Sequence, residues 1–207
     1  MPEQPVESHV VTHLRRDPIM AAIIDRCGPP TVAGPFDPAD YFGRLARAII
    51  FQQLSGKAAT AILNKVLAVL PGGELTPAGL VAAEFEQLRA CGLSRQKATY
   101  VTDLAARVHS GELELHGLPR LEEADVIAQL TQVKGIGRWT AHMFLMFTLG
   151  RPDILAVDDL GIRTAIKRAY ELEEMPTPGQ MEEIAEPWRP YRTHACSCLW
   201  NSIDMPV

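Results

Sequence analysis

The feature that most constrains this chain is a four-residue break, Lys134-Gly135-Ile136-Gly137, set between two stretches of helical periodicity. Ahead of it, Val126, Ile127, Leu130 and Val133 recur at helical spacing. Behind it, Trp139, Met143, Phe144 and Phe147 form a stripe, with Ala141 small enough for close packing. Glycine tolerates the left-handed and tight-turn dihedrals that reverse a chain in so few residues. Such a turn makes the amides of Gly135, Gly137 and their neighbours converge near the start of the second helix. Unpaired N–H groups and the positive end of the helix dipole favour an anion there. Taken alone, the same pattern also describes an ordinary corner between two helices.

An acidic pair follows. Arg151-Pro152-Asp153 ends the second helix, because proline disfavours its continuation. Ile154 to Val157 is short, apolar and expected to be extended, and Asp158-Asp159 precede a helix running to about Tyr170. Either aspartate is a good N-cap. Two adjacent acids allow one to cap while the other faces a cleft.

The remaining periodicity is helical. Expected helices cover 13–26, 41–54, 57–70, a Pro-initiated stretch within 76–90, 94–110, 121–133, 138–149, 159–171 and 177–200, the last broken near Pro187 or Pro190. Residues 1–12 read as a flexible tail and 28–38 as a Pro/Gly-rich connector. No strand alternation exceeds a few residues, so the fold class is all-α.

Four ordered motifs then carry a resemblance that spans roughly residues 10 to 202. VKGIGRWTA (residues 133–141), with VDD (157–159) placing its last aspartate 20 residues after Trp139, resembles the helix-hairpin-helix DNA base-excision glycosylase superfamily. The match is closest to its 3-methyladenine DNA glycosylase II branch. Ala48 to Ser55, containing Gln52-Gln53-Leu54-Ser55, is similar to that branch's QQ(L/I)S segment. Cys91 to Ala98 is similar to its GLSxxKA turn, and Trp188 to Arg192 with Trp200 to its closing helix.

The resemblance implies a two-lobed helical fold with the active-site cleft between the lobes. It places a central lobe at about 41–149, including the hairpin, and a second lobe in the N-terminal helix plus 155–207. About 40 residues precede the Tyr41 helix, too few for the extra N-terminal α/β domain of larger relatives, so a compact form is expected. By ungapped spacing from Trp139 the catalytic acid matches Asp159, with Asp158 a capping or supporting acid; aligning on the arginine that follows would select Asp158. Trp139 and Trp200 match base-pocket aromatics, and Leu54, with Gln53 beside it, matches the wedge that fills the hole left by a flipped base. Lys134, Gly135, Ile136, Gly137, Arg138 and Thr140 match the phosphate-binding hairpin, where a monovalent cation is also allowed. Members that nick the backbone through a Schiff base carry Lys where this chain has Trp139. The implied activity is therefore monofunctional: hydrolysis of the N-glycosidic bond of alkylated bases in double-stranded DNA, initiating base excision repair. A non-catalytic DNA-binding module and a bifunctional lyase are the alternatives.

The chemistry of that reaction is consistent with these residue types. A base must leave the duplex before its glycosidic bond can be reached, which needs a wedge and an aromatic pocket. Bond cleavage leaves oxocarbenium character on the sugar, which a fixed carboxylate stabilises.

Composition bounds the rest. The 207 residues, 47% of them hydrophobic, supply ample core, and there is neither an 18-residue apolar run nor a signal pattern at the start. A monomer working in the cytoplasm with DNA, and no membrane association, is expected. The net charge of −5 argues against a generic DNA-coating protein. Basic residues nonetheless recur near the expected DNA face: Lys57, Arg95, Lys97, Lys134, Arg138, Arg163, Lys167 and Arg168. Cysteines at 27, 91, 196 and 198 lack the close C-terminal spacing of an iron–sulfur site. On a helix Cys196 and Cys198 diverge by about 200°, so no metal and no cofactor are expected.

Overall fold

Among the described residues, 8–203, the computed structural model contains twelve α-helices and no strand. In chain order they are α1 (Ser8–Leu14), α2 (Pro18–Cys27), α3 (Tyr41–Phe51), α4 (Gly56–Val69), α5 (Pro77–Ala82), α6 (Phe85–Ala90), α7 (Arg95–His109), α8 (Glu123–Leu130), α9 (Arg138–Phe147), α10 (Leu160–Ala169), α11 (Pro178–Ala185) and α12 (Arg192–Ile203). None of them is long and apolar enough to cross a membrane. Their starts follow local chemistry. The side chains of Ser55, Thr76, Ser94 and Thr177 accept from the amides of Ala58, Gly79, Lys97 and Gln180, satisfying donors that a helix start leaves unpaired.

Two expected helices are each divided. Residues 13–26 do not form one helix from His13: α1 already begins at Ser8, so the expected tail is helical over 8–12, and residues 1–7 lie outside the described residues. The division after α1 has a covalent cause. Pro18 cannot donate a backbone bond and holds Asp17 in extended conformation (φ −85°, ψ 117°), where its carboxylate caps α2. Residues 76–90 likewise split into α5 and α6 at Ala83 and Glu84, both extended although neither is Gly or Pro. Both short helices pack on α7, and tertiary contact overrides the local propensity.

The chain forms two compact units. One is the continuous segment Phe36–Ala141, in which α7 lies against α3, α5 and α6. Its core is built from Leu45, Ile49, Ile50, Leu63, Leu80, Leu88, Val101, Leu104 and Leu130, all 3% exposed or less. Full burial of such a side chain contributes about 1.5–3 kcal/mol. The other unit joins residues 1–35 to 142–207. The division falls inside α9, after Ala141, rather than at the helix end expected near residue 149.

In the discontinuous unit α12 is the central element, packed on α2 and α10 and buried at seven positions between Arg192 and Leu199. Asp17 ties the rest together. Its Oδ1 accepts from the amides of Ile19 (2.8 Å) and Met20 (3.3 Å), and its Oδ2 from the indole of fully buried Trp188 (2.9 Å) and the hydroxyl of Tyr170. Burial by itself would raise this carboxyl, but the bonds from Tyr170, Trp188, Met20 and Ile19 outweigh it and hold it below the usual 3.8.

A folded-state pKa below the unfolded one stabilises the protein above the unfolded value and is lost as pH falls through the folded value. Asp17→Ala removes the α2 cap and strands the Trp188 donor, so a loss of about 2–4 kcal/mol is expected in urea unfolding at pH 7. The gap between wild type and variant should shrink below about pH 4. A constant gap down to pH 2 would refute the electrostatic account.

Candidate active site

Asp159 is delivered by an apolar lead-in. Ile154, Leu155, Ala156 and Val157 are all buried, and Asp159 is itself only 9% exposed, while its neighbours Asp158 and Leu160 are exposed. With φ −81° and ψ 119°, Asp159 is the N-cap of α10, and its Oδ1 accepts from the Ile162 amide at 2.8 Å. The cap therefore falls on Asp159 and not on Asp158, because α10 starts at Leu160 and the extended residue just before a helix does the capping. The same Oδ1 accepts from the indole N–H of Trp200 at 2.9 Å. Two donors thus converge on one oxygen of a buried carboxylate, which fixes its orientation.

The second donor comes from α12, which also holds the lead-in. Thr193, Cys196 and Trp200 stand at i, i+3 and i+7, on one face of the helix. The Thr193 hydroxyl donates to Arg151 O (2.6 Å) and accepts from the Ile154 amide (3.0 Å), while Cys196 Sγ donates to Ile154 O (3.9 Å). Directly before Thr193, buried Arg192 grips Asp153 through Nε–Oδ1 (2.7 Å) and the backbone carbonyl (2.7 Å), with Glu182 at 2.8 Å from its Nη1. Burial pushes the Cys196 and Cys198 thiols up to about 12, so both are neutral packing groups. Among the described residues no group of His, Cys, Asp and Glu is placed to hold a metal ion.

Gly161 makes the indole–carboxylate bond sterically possible. A Cβ there would lie 3.0 Å from Asp159 Oδ1, 3.3 Å from Trp200 Cδ1 and 2.9 Å from Ile203 Cδ1. Trp200, expected as pocket lining, is half-buried with its ring 5.7 Å from that of Phe147.

The expected wedge and hairpin belong to the continuous unit. After α3, Gln52 turns extended (φ −49°, ψ 131°) and Gln53 takes φ +56°, a left-handed conformation costing a non-glycine residue about 1–2 kcal/mol. Gln53 is exposed and Leu54 is 39% exposed. In the hairpin, Gly135 has φ +84° and faces the Tyr100 ring, whose Cδ2 would lie 2.0 Å from an added Cβ. Only glycine fits. Gly137, by contrast, is exposed and has open space where a Cβ would be.

The hairpin residues divide by exposure. Lys134, Gly137, Arg138 and Trp139 (45% exposed) face solvent, whereas Ile136 and Thr140 are buried. The Ile136 amide donates to Val133 O (3.1 Å) within the turn. Two cations expected at a DNA face, Lys97 and Arg163, brace the fold. Lys97 Nζ donates to Ile50 O (2.7 Å) and Gln52 O (2.5 Å), and burial lowers its pKa. Arg163 donates to Pro176 O, and Lys134 lies 3.6 Å from Asp103, whose carboxylate also accepts the Lys134 amide. Burial would raise Asp103, but that amide and Arg107 outweigh it and hold the carboxyl low. Asp103 and Gly161 are residues that sequence reading did not single out, whereas Lys97 was read as a DNA-face cation and Gln52 only as part of the QQLS segment. Only Gly161 left a trace: a glycine in the first turn of a helix where no turn requires one.

These elements define a class. The chain belongs to the HhH-GPD superfamily of base excision DNA repair proteins, whose family model matches residues 46–190. Among individual relatives, it is 37% identical over 163 residues to DNA-3-methyladenine glycosylase 1 of Schizosaccharomyces pombe, covering 78% of this chain and 72% of that protein. Its structure is similar to the crystal structure of a DNA-3-methyladenine glycosidase from Bacillus halodurans (TM-score 0.84, 35% identity, 99% of this chain and 94% of that one). It is also similar to the S. pombe 3-methyladenine DNA glycosylase Mag1 in complex with abasic DNA (TM-score 0.81, 31% identity, 96% and 98%).

At an open helical site Gly→Ala stabilises by about 0.4–1 kcal/mol. At Gly161 crowding should reverse the sign, with Gly161→Ala less stable than wild type by about 1–3 kcal/mol in denaturant unfolding. A stabilised variant would mean that the indole and the carboxylate are not held as tightly as their packing indicates.

Proposed function

We propose that this chain is a DNA glycosylase that hydrolyses the N-glycosidic bond of N-alkylated purines of the 3-methyladenine type in double-stranded DNA. The observation that carries the reading is Asp159, a buried carboxylate whose Oδ1 is aimed by the α10 amide and the Trp200 indole. Membership of a base excision repair superfamily, and relatives named for 3-methyladenine removal, support it.

The base leaves with the electron pair of its bond to C1′, cancelling the positive charge that alkylation had placed on it. The sugar becomes oxocarbenium-like and is stabilised by the Asp159 carboxylate in a partly dehydrated site. Water then adds to C1′ and gives up a proton, leaving an abasic site. No strong general acid is needed, because the leaving group is already cationic. Exposed Gly137, Arg138 and Lys134 grip the backbone phosphate through the start of α9, with room for a monovalent cation at the turn. By the resemblance, Leu54 and Gln53 fill the space the base vacates, and Trp139 and Trp200 are each aromatics that a flipped base can stack on. The protein acts on DNA as a monomer.

Hydrolysis without strand nicking is the finer part of the proposal. Trp139 occupies the position where, by the resemblance, lyases carry their amine. The unit that contains Asp159 has one lysine, Lys167, eight residues further along α10 and hence about 12 Å away along the helix axis.

The test is a duplex carrying a single alkylated purine. Base release is expected, with strand breakage appearing only after alkali. Breakage without alkali would favour a lyase, and binding without release would favour a DNA-binding module. Asp159→Asn should slow single-turnover excision by about 10²–10³-fold while the duplex affinity changes little. If Asp158→Asn is the inactive variant instead, the acid has been assigned to the wrong neighbour.

A further inference from the structure

Two segments of the continuous unit, the end of α3 and the hairpin turn, meet on one helix. Lys97, Tyr100 and Asp103 recur every three residues along α7 and so form a single slanted ridge. Lys97 holds the carbonyls of Ile50 and Gln52 where α3 ends, Tyr100 packs under Gly135, and Asp103 takes the Lys134 amide. Between the two ends of this ridge runs a direct tie: the Gln52 side-chain amide donates to Gly135 O at 2.8 Å.

The tie has a consequence for Gln53 and Leu54. Gln53 sits in a left-handed conformation that a non-glycine residue leaves readily unless its surroundings hold it. The bonds that hold it are on Gln52: the Lys97 ammonium on its carbonyl, Ile49 O on its amide, and Gly135 O on its side chain. The Leu54 amide adds a bond to Phe51 O at 3.3 Å. A two-residue tip displayed on strained backbone, clamped to the turn that faces a phosphate, has a fixed distance to that phosphate.

Resting on the glycosylase reading above, we propose that Gln52 is a positioning residue for base extrusion: it registers the Gln53–Leu54 tip to the phosphate-gripping hairpin, so that gripping the backbone and filling the vacated base site occur as one event. Gln52 itself does not touch the reacting atoms. Its effect is on getting the base out of the stack, not on cutting the glycosidic bond. The role therefore separates substrates by whether the lesion is already unpaired, which a merely structural residue does not do.

The experiment compares wild type, Gln52→Ala, Leu54→Ala and the double variant on two DNA substrates, one with the alkylated purine paired and one with it unpaired in a single-nucleotide bulge. Single-turnover excision from the paired duplex should fall about 10- to 100-fold in Gln52→Ala, whereas excision from the bulge should stay within about threefold of wild type. Affinity for undamaged duplex should change by less than about threefold. Because Gln52 acts through the tip, the double variant should be no slower than Leu54→Ala, a non-additivity expected of coupled neighbours. Equal losses on both substrates, no loss on either, or additive losses in the double variant would overturn the proposal. Gln52→Glu guards against simple misfolding: it keeps the side chain's size but turns a carboxylate towards Gly135 O, and must show the same paired-versus-bulged split. If wild type releases no base from either substrate, it is the glycosylase reading that fails.

Discussion

A carboxyl group placed among buried backbone must be held by donors, because a buried polar oxygen left without them costs stability. Asp159 meets that requirement with two bonds to one oxygen, one from the helix it caps and one from Trp200. Much of the discontinuous unit serves this pair. Thr193, Cys196 and Trp200 lie on a single face of α12, so the helix that supplies the indole also clips the apolar lead-in that delivers the acid. Arg192 and Asp153 lock the start of that lead-in, and Gly161 omits the one carbon that would separate indole from carboxylate.

The continuous unit solves a different problem, which is to present short loops without letting them wander. Its solution is α7, whose side chains satisfy the exposed ends of other elements: Lys97 the carbonyls closing α3, Asp103 the amide opening the hairpin. This clarifies why an acidic chain belongs to a family of DNA repair proteins. Lys97 and Arg163, which look available for phosphate, are bonded to backbone carbonyls, and backbone amides at a glycine turn bind anions without adding formal charge.

Much of this was legible in the sequence. Glycine and proline breaks and helical stripes marked most of the helices, because each acts over one or two turns of chain. The motif spacing singled out Asp159, and the hairpin glycines pointed to a tight turn. Where the reading failed, the cause was contact distant in sequence. Residues 76–90 are continuous in propensity but break at Ala83 to pack on α7, and the α10 cap, which either aspartate could supply in isolation, falls on Asp159.

The sequence by itself determined the helical fold class, the site of the chain reversal at Gly135 and the acid pair after the lead-in, since dihedral preference, capping and periodicity are local properties. Only the tertiary structure decided that Trp200 orients Asp159, that Gly161 must lack a side chain, and that Lys97 braces the loop after α3. Those outcomes depend on which side chain arrives beside which carbonyl across 40 or more residues of intervening chain. A hydrogen bond at 2.9 Å is a fact of packing, which no short stretch of sequence specifies alone.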